Sequence, residues 1–140
     1  MKYIDWFESH AQKHKHIVKK LQGMAYTKEQ IVDYFDFDSM KRNEEDFCPL
    51  YKEDKKCHDM KSLNCYMCAC PNFRFNDNGI AKYNKQIILS ECSINNGKKF
   101  ASDGFIHQDC SSCTVPHHKA YILKNFSLDW TEMMENCKSN

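Results

Sequence analysis

What this 140-residue chain lacks bounds what it does. It has no run of about 20 apolar residues, so the sequence predicts no membrane-spanning helix. Arginine is scarce: 18 Lys and 2 Arg stand against 19 acids, leaving a net charge of +1. Nucleic-acid binders ordinarily carry a basic surplus that neutralises phosphates. The balance therefore argues against DNA or RNA as partner, although Lys98-Lys99-Phe100 and Phe73-Arg74-Phe75 offer rings for base stacking. The opening Met1-Lys2-Tyr3-Ile4-Asp5-Trp6 lacks the apolar stretch and cleavage site of an export signal, and the expected compartment is the cytoplasm. A Gly-rich phosphate loop, a G-x-S-x-G elbow and an H-E-x-x-H helix are all missing, so an enzyme is the less favoured reading.

Cysteine is abundant instead. There are nine, eight of them between Cys48 and Cys113. Structural disulfides rarely persist in a reducing compartment, and an odd count leaves one thiol over. Hydrophobic residues make up only 41% of the chain, a lean core for this length. Clustered thiols beside a lean core point to metal as the staple.

The expected fold class is α+β, in one unit of three segments without internal repeats. Residues 1–46 read as an N-terminal helical extension. Ile4, Phe7, Ala11, His14, Val18 and Leu21 follow a three-four spacing, with a stop at Gly23. Thr27-Lys28-Glu29-Gln30 fits a capping box opening a second helix, completing a helical hairpin. Charge is segregated: residues 1–28 carry six Lys against two acids, and residues 29–46 carry two bases against seven acids. The two helices pair with each other, or one of them meets a protein partner. His10 and His14 are a chelating pair by spacing, but no third ligand lies near them, so they are read as a solvated face. Residues 47–123 form a loop-rich cysteine core. Turns are expected at Asn76-Asp77-Asn78-Gly79 and at Asn95-Asn96-Gly97, the second joining 86–90 and 98–101 in a short β-hairpin. Residues 124–140 read as a C-terminal helix, capped by Ser127 and running to about Cys137, that packs on the core. There Cys137 is an apolar side chain beside Trp130 and Met133.

Zinc sites take about four ligands, commonly as short chelating pairs from two parts of the chain. Cys65-Tyr66-Met67-Cys68-Ala69-Cys70-Pro71 fuses a C-x-x-C to a C-x-C, and Cys110-Ser111-Ser112-Cys113 supplies a second C-x-x-C. Two intervening residues make a tight turn that aims both thiolates at one point. Cys48, Cys57 and Cys92 bring the thiols to eight, with His58, His107, His117 and His118 in reach. One of the vicinal pair Cys57 and His58 is expected to ligate, with Cys57 favoured. An extended Cys68-Ala69-Cys70 would send both thiols the same way. They bind one ion, or lie between two neighbouring ions.

The run Asn64-Cys-Tyr-Met-Cys-Ala-Cys-Pro71, followed by Asp109-Cys-Ser-Ser-Cys-Thr-Val-Pro-His117, resembles the family called the cysteine-rich small domain. The resemblance covers residues 47–123. It places Cys48, Cys57 with His58, Cys65, Cys68, Cys70, Cys92, Cys110, Cys113 and His117 at the family's Cys and His positions. It implies a metal-binding, zinc-finger-like module, found alone or fused to threonine-phosphate decarboxylases of cobamide biosynthesis. The Lys- and Asn-rich, Arg-poor composition suits an AT-rich bacterial genome.

Zinc, as one or two ions, suits paired C-x-x-C motifs and the need for a staple. An iron–sulfur cluster is the alternative, because clusters also favour a dense thiolate run ending in Cys-Pro. The expected function is a small metal-stabilised accessory protein whose flanking helices meet a protein partner. The competing expectation is a redox or enzymatic accessory, with an open metal site bordered by His107, Asp109 and His117.

Overall fold

The computed structural model describes residues 2–79, 81–83 and 86–138; Met1 and residues 139–140, the outermost positions of the first and third segments, lie outside the described residues. The fold is α+β, with helices at both ends and short strands between them.

Helix α1 runs from Tyr3 to Gly23 and stops where the glycine predicts. The capping box opens α2, Lys28–Tyr34: Gln30 N donates to Thr27 Oγ1 at 3.2 Å, and Thr27 N donates to Gln30 Oε1 at 2.7 Å. A third helix, α3, covers Phe37–Asn43, and a 3-10 turn covers Pro49–Glu53. The segregated charges meet inside the chain, where the Lys20 ammonium bonds both Glu44 and Tyr34. Among the described residues no helix is long and apolar enough to cross a membrane.

His10 and His14 do not form a solvated face. Their relative exposures are 5% and 0%. Tyr3, Phe7, His10, His14, Ile17 and Leu21 alternate at four and three residues, and that stripe turns inward. His10 stacks on Trp6 at 4.6 Å and packs against Trp130 at 5.0 Å, while His14 stacks on Phe35 and donates from Nε2 to Tyr66 O at 3.0 Å.

Six strands follow: β1 Phe73–Phe75, β2 Ala81–Tyr83, β3 Gln86–Ile88, β4 Ser90–Cys92, β5 Lys98–Ser102 and β6 Phe105–Asp109. Strands β1 and β4 pair alone, and the other four order as β2-β3-β6-β5. The hairpin differs from the one expected. Strand β5 pairs antiparallel with β6, and β3 runs parallel to β6 without touching β5. The cause is a turn overlooked in the sequence. Asp103 (φ 51°) and Gly104 (φ 83°) are both left-handed, as a two-residue hairpin turn requires. Asn95 and Gly97 are left-handed too, but there they carry the chain from β4 into β5. The Asn76–Gly79 turn forms, with Asn78 N donating to Asn76 Oδ1 and Gly79 N to Asn76 O, both at 2.9 Å.

Helix α4 covers Lys119–Lys124 and α5 only Trp130–Met133. Asp129, not Ser127, caps α5 by accepting Thr131 N at 3.0 Å, and the chain then turns so that Cys137 O accepts Phe75 N at 2.8 Å. Trp130, Met134 and Cys137 are buried together with Phe7, Leu21, Val32, Phe35, Tyr66 and Met67. One core thus joins both ends of the chain to the cysteine segment.

Candidate metal centre

The Cys65–Cys68 turn lies at the middle of that core. Tyr66 and Met67 are fully buried. The Asn64 side chain shapes the approach, donating to Val32 O at 2.7 Å and accepting Tyr66 N at 2.9 Å. Cys65 N donates to Phe35 O at 2.8 Å, the Trp130 indole donates to Cys68 O at 3.0 Å, and the Tyr66 hydroxyl donates to Ser127 O at 2.6 Å. Helices from both ends of the chain therefore aim this C-x-x-C.

Its thiols have neighbours. Contact with the Cys68 thiol, against the opposing effect of burial, holds Cys65 below the ordinary thiol range. The same contact, then burial, then the thiolates of Cys65, Cys57 and Cys48, drive Cys68 well above that range. Cys48 stands just before the Pro49–Glu53 turn; burial raises its thiol, the Leu50 N–H opposes, and Cys65 adds to the rise. The Tyr51 hydroxyl is buried facing Cys65 and adds to the lowering of that thiol. It is a donor facing a place where a thiolate would form.

Among the described residues, one group has donor atoms all within 4.8 Å of one another: Cys57, His58 and His117. Cys57 lies at the surface as a residue, but its Sγ is 3.1 Å from His58 Nδ1 and 3.8 Å from His117 Nε2. Each imidazole is fixed from behind. His117 Nδ1 is 2.9 Å from Asn64 O, and His58 Nε2 is 2.8 Å from Cys110 O. Carbonyl oxygens only accept, so those nitrogens carry the protons. The lone pairs of the opposite nitrogens then face Cys57 Sγ. This is the outer-shell pattern that orients metal-ligating histidine. Burial lowers the His117 pKa, the direction that favours the neutral ring a ligand requires. Burial, then the thiolates of Cys65 and Cys48, push Cys57 up to about 11. A cation would replace those thiol protons.

Four of the remaining five thiols gather at one place. Cys70, Cys92, Cys110 and Cys113 all line one cavity of about 130 Å³. Cys92 ends β4, and the Cys110–Cys113 turn follows β6, closed by Cys113 N donating to Cys110 O at 3.0 Å. Cys68-Ala69-Cys70 is not extended. Ala69 (φ 90°) and Cys70 (φ 68°) are both left-handed, a costly conformation for residues with a Cβ, so the chain reverses between the two thiols. Two N–H groups point at sulfur: Asn96 Nδ2 at 3.1 Å from Cys113 Sγ, and Asn72 N at 3.5 Å from Cys70 Sγ.

The structure does not bring the other candidates to this site as a group. His107 bonds the Tyr3 hydroxyl at 2.7 Å and stacks on Phe100; Asp109 accepts Ser111 N at 2.9 Å in a tight turn; His118 bonds Thr114. Cys137 donates to Cys70 O and sits in the core. All nine cysteines are free thiols. His58 is the residue the sequence undervalued. Its adjacency to Cys57 was visible, but the carbonyl that fixes its ring lies 52 residues away. The donor set, thiols with backed imidazoles and a buried phenol beside them, fits a soft or borderline cation.

No protein-family model, curated protein or solved structure matches the chain. The resemblance to cysteine-rich small domains therefore rests on the two dense cysteine motifs alone.

Proposed function

We propose that the chain is a zinc-stapled accessory module, stabilised by metal and acting through contact with another protein. The observation carrying this reading is the pair of imidazoles at Cys57, each protonated toward a backbone carbonyl and presenting its free nitrogen to the thiol. Free thiols in this number suit a reducing compartment such as the cytoplasm. Two imidazoles converge on the Cys57 thiol, an arrangement of ligands that favours a binding module over an enzyme. The surface offered to a partner includes Trp6, 43% exposed on α1, and Leu128, 45% exposed near α5. The likeness to domains fused to cobamide-pathway decarboxylases supports looking for that partner in cobamide metabolism.

A second reading, an iron–sulfur or iron-binding redox accessory, draws on the four thiols that line one cavity and the N–H groups aimed at two of their sulfurs, a contact that tunes clusters. Metal analysis with an absorbance spectrum, on protein purified without oxygen, separates the two. Zinc at one or two equivalents without a visible band supports the structural module. Iron with a broad visible thiolate band moves the assignment to the redox accessory, and metal-free folded protein overturns both.

A further inference from the structure

We infer that the chain holds two ions and that the C-x-x-C-x-C run is divided between them. Cys65 and Cys68 belong to a mixed thiolate–imidazole centre whose four ligands are drawn from them, Cys48, Cys57 and the two histidines. Cys70 serves a second, all-thiolate centre with Cys92, Cys110 and Cys113. The inference rests on the metal-binding reading above and deepens it.

Ligand arithmetic comes first. A structural zinc ion is saturated by four ligands in a tetrahedron. Eight thiols and two backed imidazoles exceed one such shell. The second line is the cavity, whose walls include Cys70, Cys92, Cys110 and Cys113 but none of the other five cysteines; His58 and His117 border it as well. The third is the aim of the histidines: His58 Nδ1 and His117 Nε2 face Cys57 Sγ, and their other nitrogens are taken by the carbonyls of Cys110 and Asn64.

The backbone explains how residues two apart serve different ions. Left-handed Ala69 and Cys70 reverse the chain, so the Cys68 carbonyl is held by the Trp130 indole N–H while Cys70 lines the cavity. The Asn96 and Asn72 N–H donors then meet sulfur in the second set. Such donors favour thiolate over thiol, the form a cation needs. The two centres share a wall. His58 turns one nitrogen to Cys57 and the other to the carbonyl of Cys110, so a first-centre ligand is braced by a second-centre residue.

Metal content of the whole chain and of two variants tests the division, with Cys57→Ser aimed at the first centre and Cys113→Ser at the second. The expected result is two equivalents in the parent, one in each variant and none in the double variant. A parent with one equivalent, a single cluster accounting for all the metal, or a variant that loses both ions overturns the division while leaving the metal-binding reading standing. A metal-free parent overturns that reading itself. Should a variant fail to fold, cadmium-113 NMR of the cadmium-loaded parent decides. Two resonances, only one coupled to labelled imidazole nitrogen, support the division, and a single resonance, or coupling in both, overturns it.

Discussion

The two C-x-x-C turns have identical spacing and opposite surroundings. Between Cys65 and Cys68 lie Tyr66 and Met67, both fully buried; between Cys110 and Cys113 lie Ser111 and Ser112, both exposed. The first turn is tied to α1, to the end of α2, to Ser127 and to Trp130. The second turn closes locally, from Ser111 N to Asp109 and from Cys113 N to Cys110 O, its longer bonds come from the His58 and Asn96 side chains, and it follows a strand paired to β5, exposed at every residue. Equal spacing therefore does not mean equal dependence on a ligand. Side-chain packing positions the first pair, whereas the second, with no buried side chain between its cysteines, has two side-chain hydrogen bonds and its ligand to hold it.

Metal removal is the strongest way to break that contrast. Structural zinc contributes on the order of 10 kcal/mol in small finger peptides. After chelation, hydrogen exchange should show residues 98–113 losing protection before residues 63–68. Equal and simultaneous loss in both would sink the comparison.

Next in size is the core of the first turn. Tyr66→Ala removes a fully buried ring stacked on Phe126 and set edge-on to His14 and Phe35, and should cost about 3–5 kcal/mol in urea unfolding. Ser112→Ala, at an exposed position of the other turn, should stay within about 0.5 kcal/mol. Similar costs would remove the distinction between the turns.

Acid should act through the helix that braces the first turn. Burial, then His14 and Lys13, lowers the His10 pKa to about 3; burial, against the Tyr66 carbonyl, lowers His14 to about 4. Both rings fold as neutral imidazole. Their stability contribution is complete above the unfolded value near 6.5 and falls away as pH drops toward 4 and 3. At pH 5 the loss is about 2 kcal/mol for each ring. Metal release also destabilises in acid, so His10→Phe is the control: its stability should fall less steeply between pH 6.5 and 4 than the parent's. Parallel pH profiles would refute the histidine account.

The smallest effect sharpens the contrast from the exposed side. Gly97 has φ +75°, and a Cβ there would meet Asp109 O at 2.8 Å, beside the second turn. Gly97→Ala should cost about 1–3 kcal/mol and disturb β5 and β6 while leaving near-ultraviolet signals from Tyr66 and Trp130 unchanged. A change in those aromatic signals would show that the two regions are coupled more tightly than their hydrogen bonds imply.

Much of the fold was readable where the governing interactions are short. The capping box at Thr27, the stop at Gly23, the Asn76–Gly79 turn and both C-x-x-C turns depend on residues within a few positions of each other. The β5–β6 hairpin was readable too, from Asp103-Gly104, but the Asn95-Asn96-Gly97 signal drew attention first. His10 and His14 were misread because polarity outweighed position. Their place on the stripe with Phe7 and Ile17 decides burial, and Phe35, Phe47 and Trp130 supply the rings they pack against.

By itself the amino-acid sequence determined an α+β chain with a lean core, a balanced charge and a dense set of soft ligands in short pairs. Each of those properties is composition or local spacing. Only the tertiary structure decided which thiols face which, that His58 stands with Cys57 and His117, and that Cys68 and Cys70 turn apart. The Cys57–His117 contact spans 60 residues and the carbonyl behind His117 lies 53 residues from it. Contacts at that separation exist only once the core around Tyr66 has brought the chain's distant segments together.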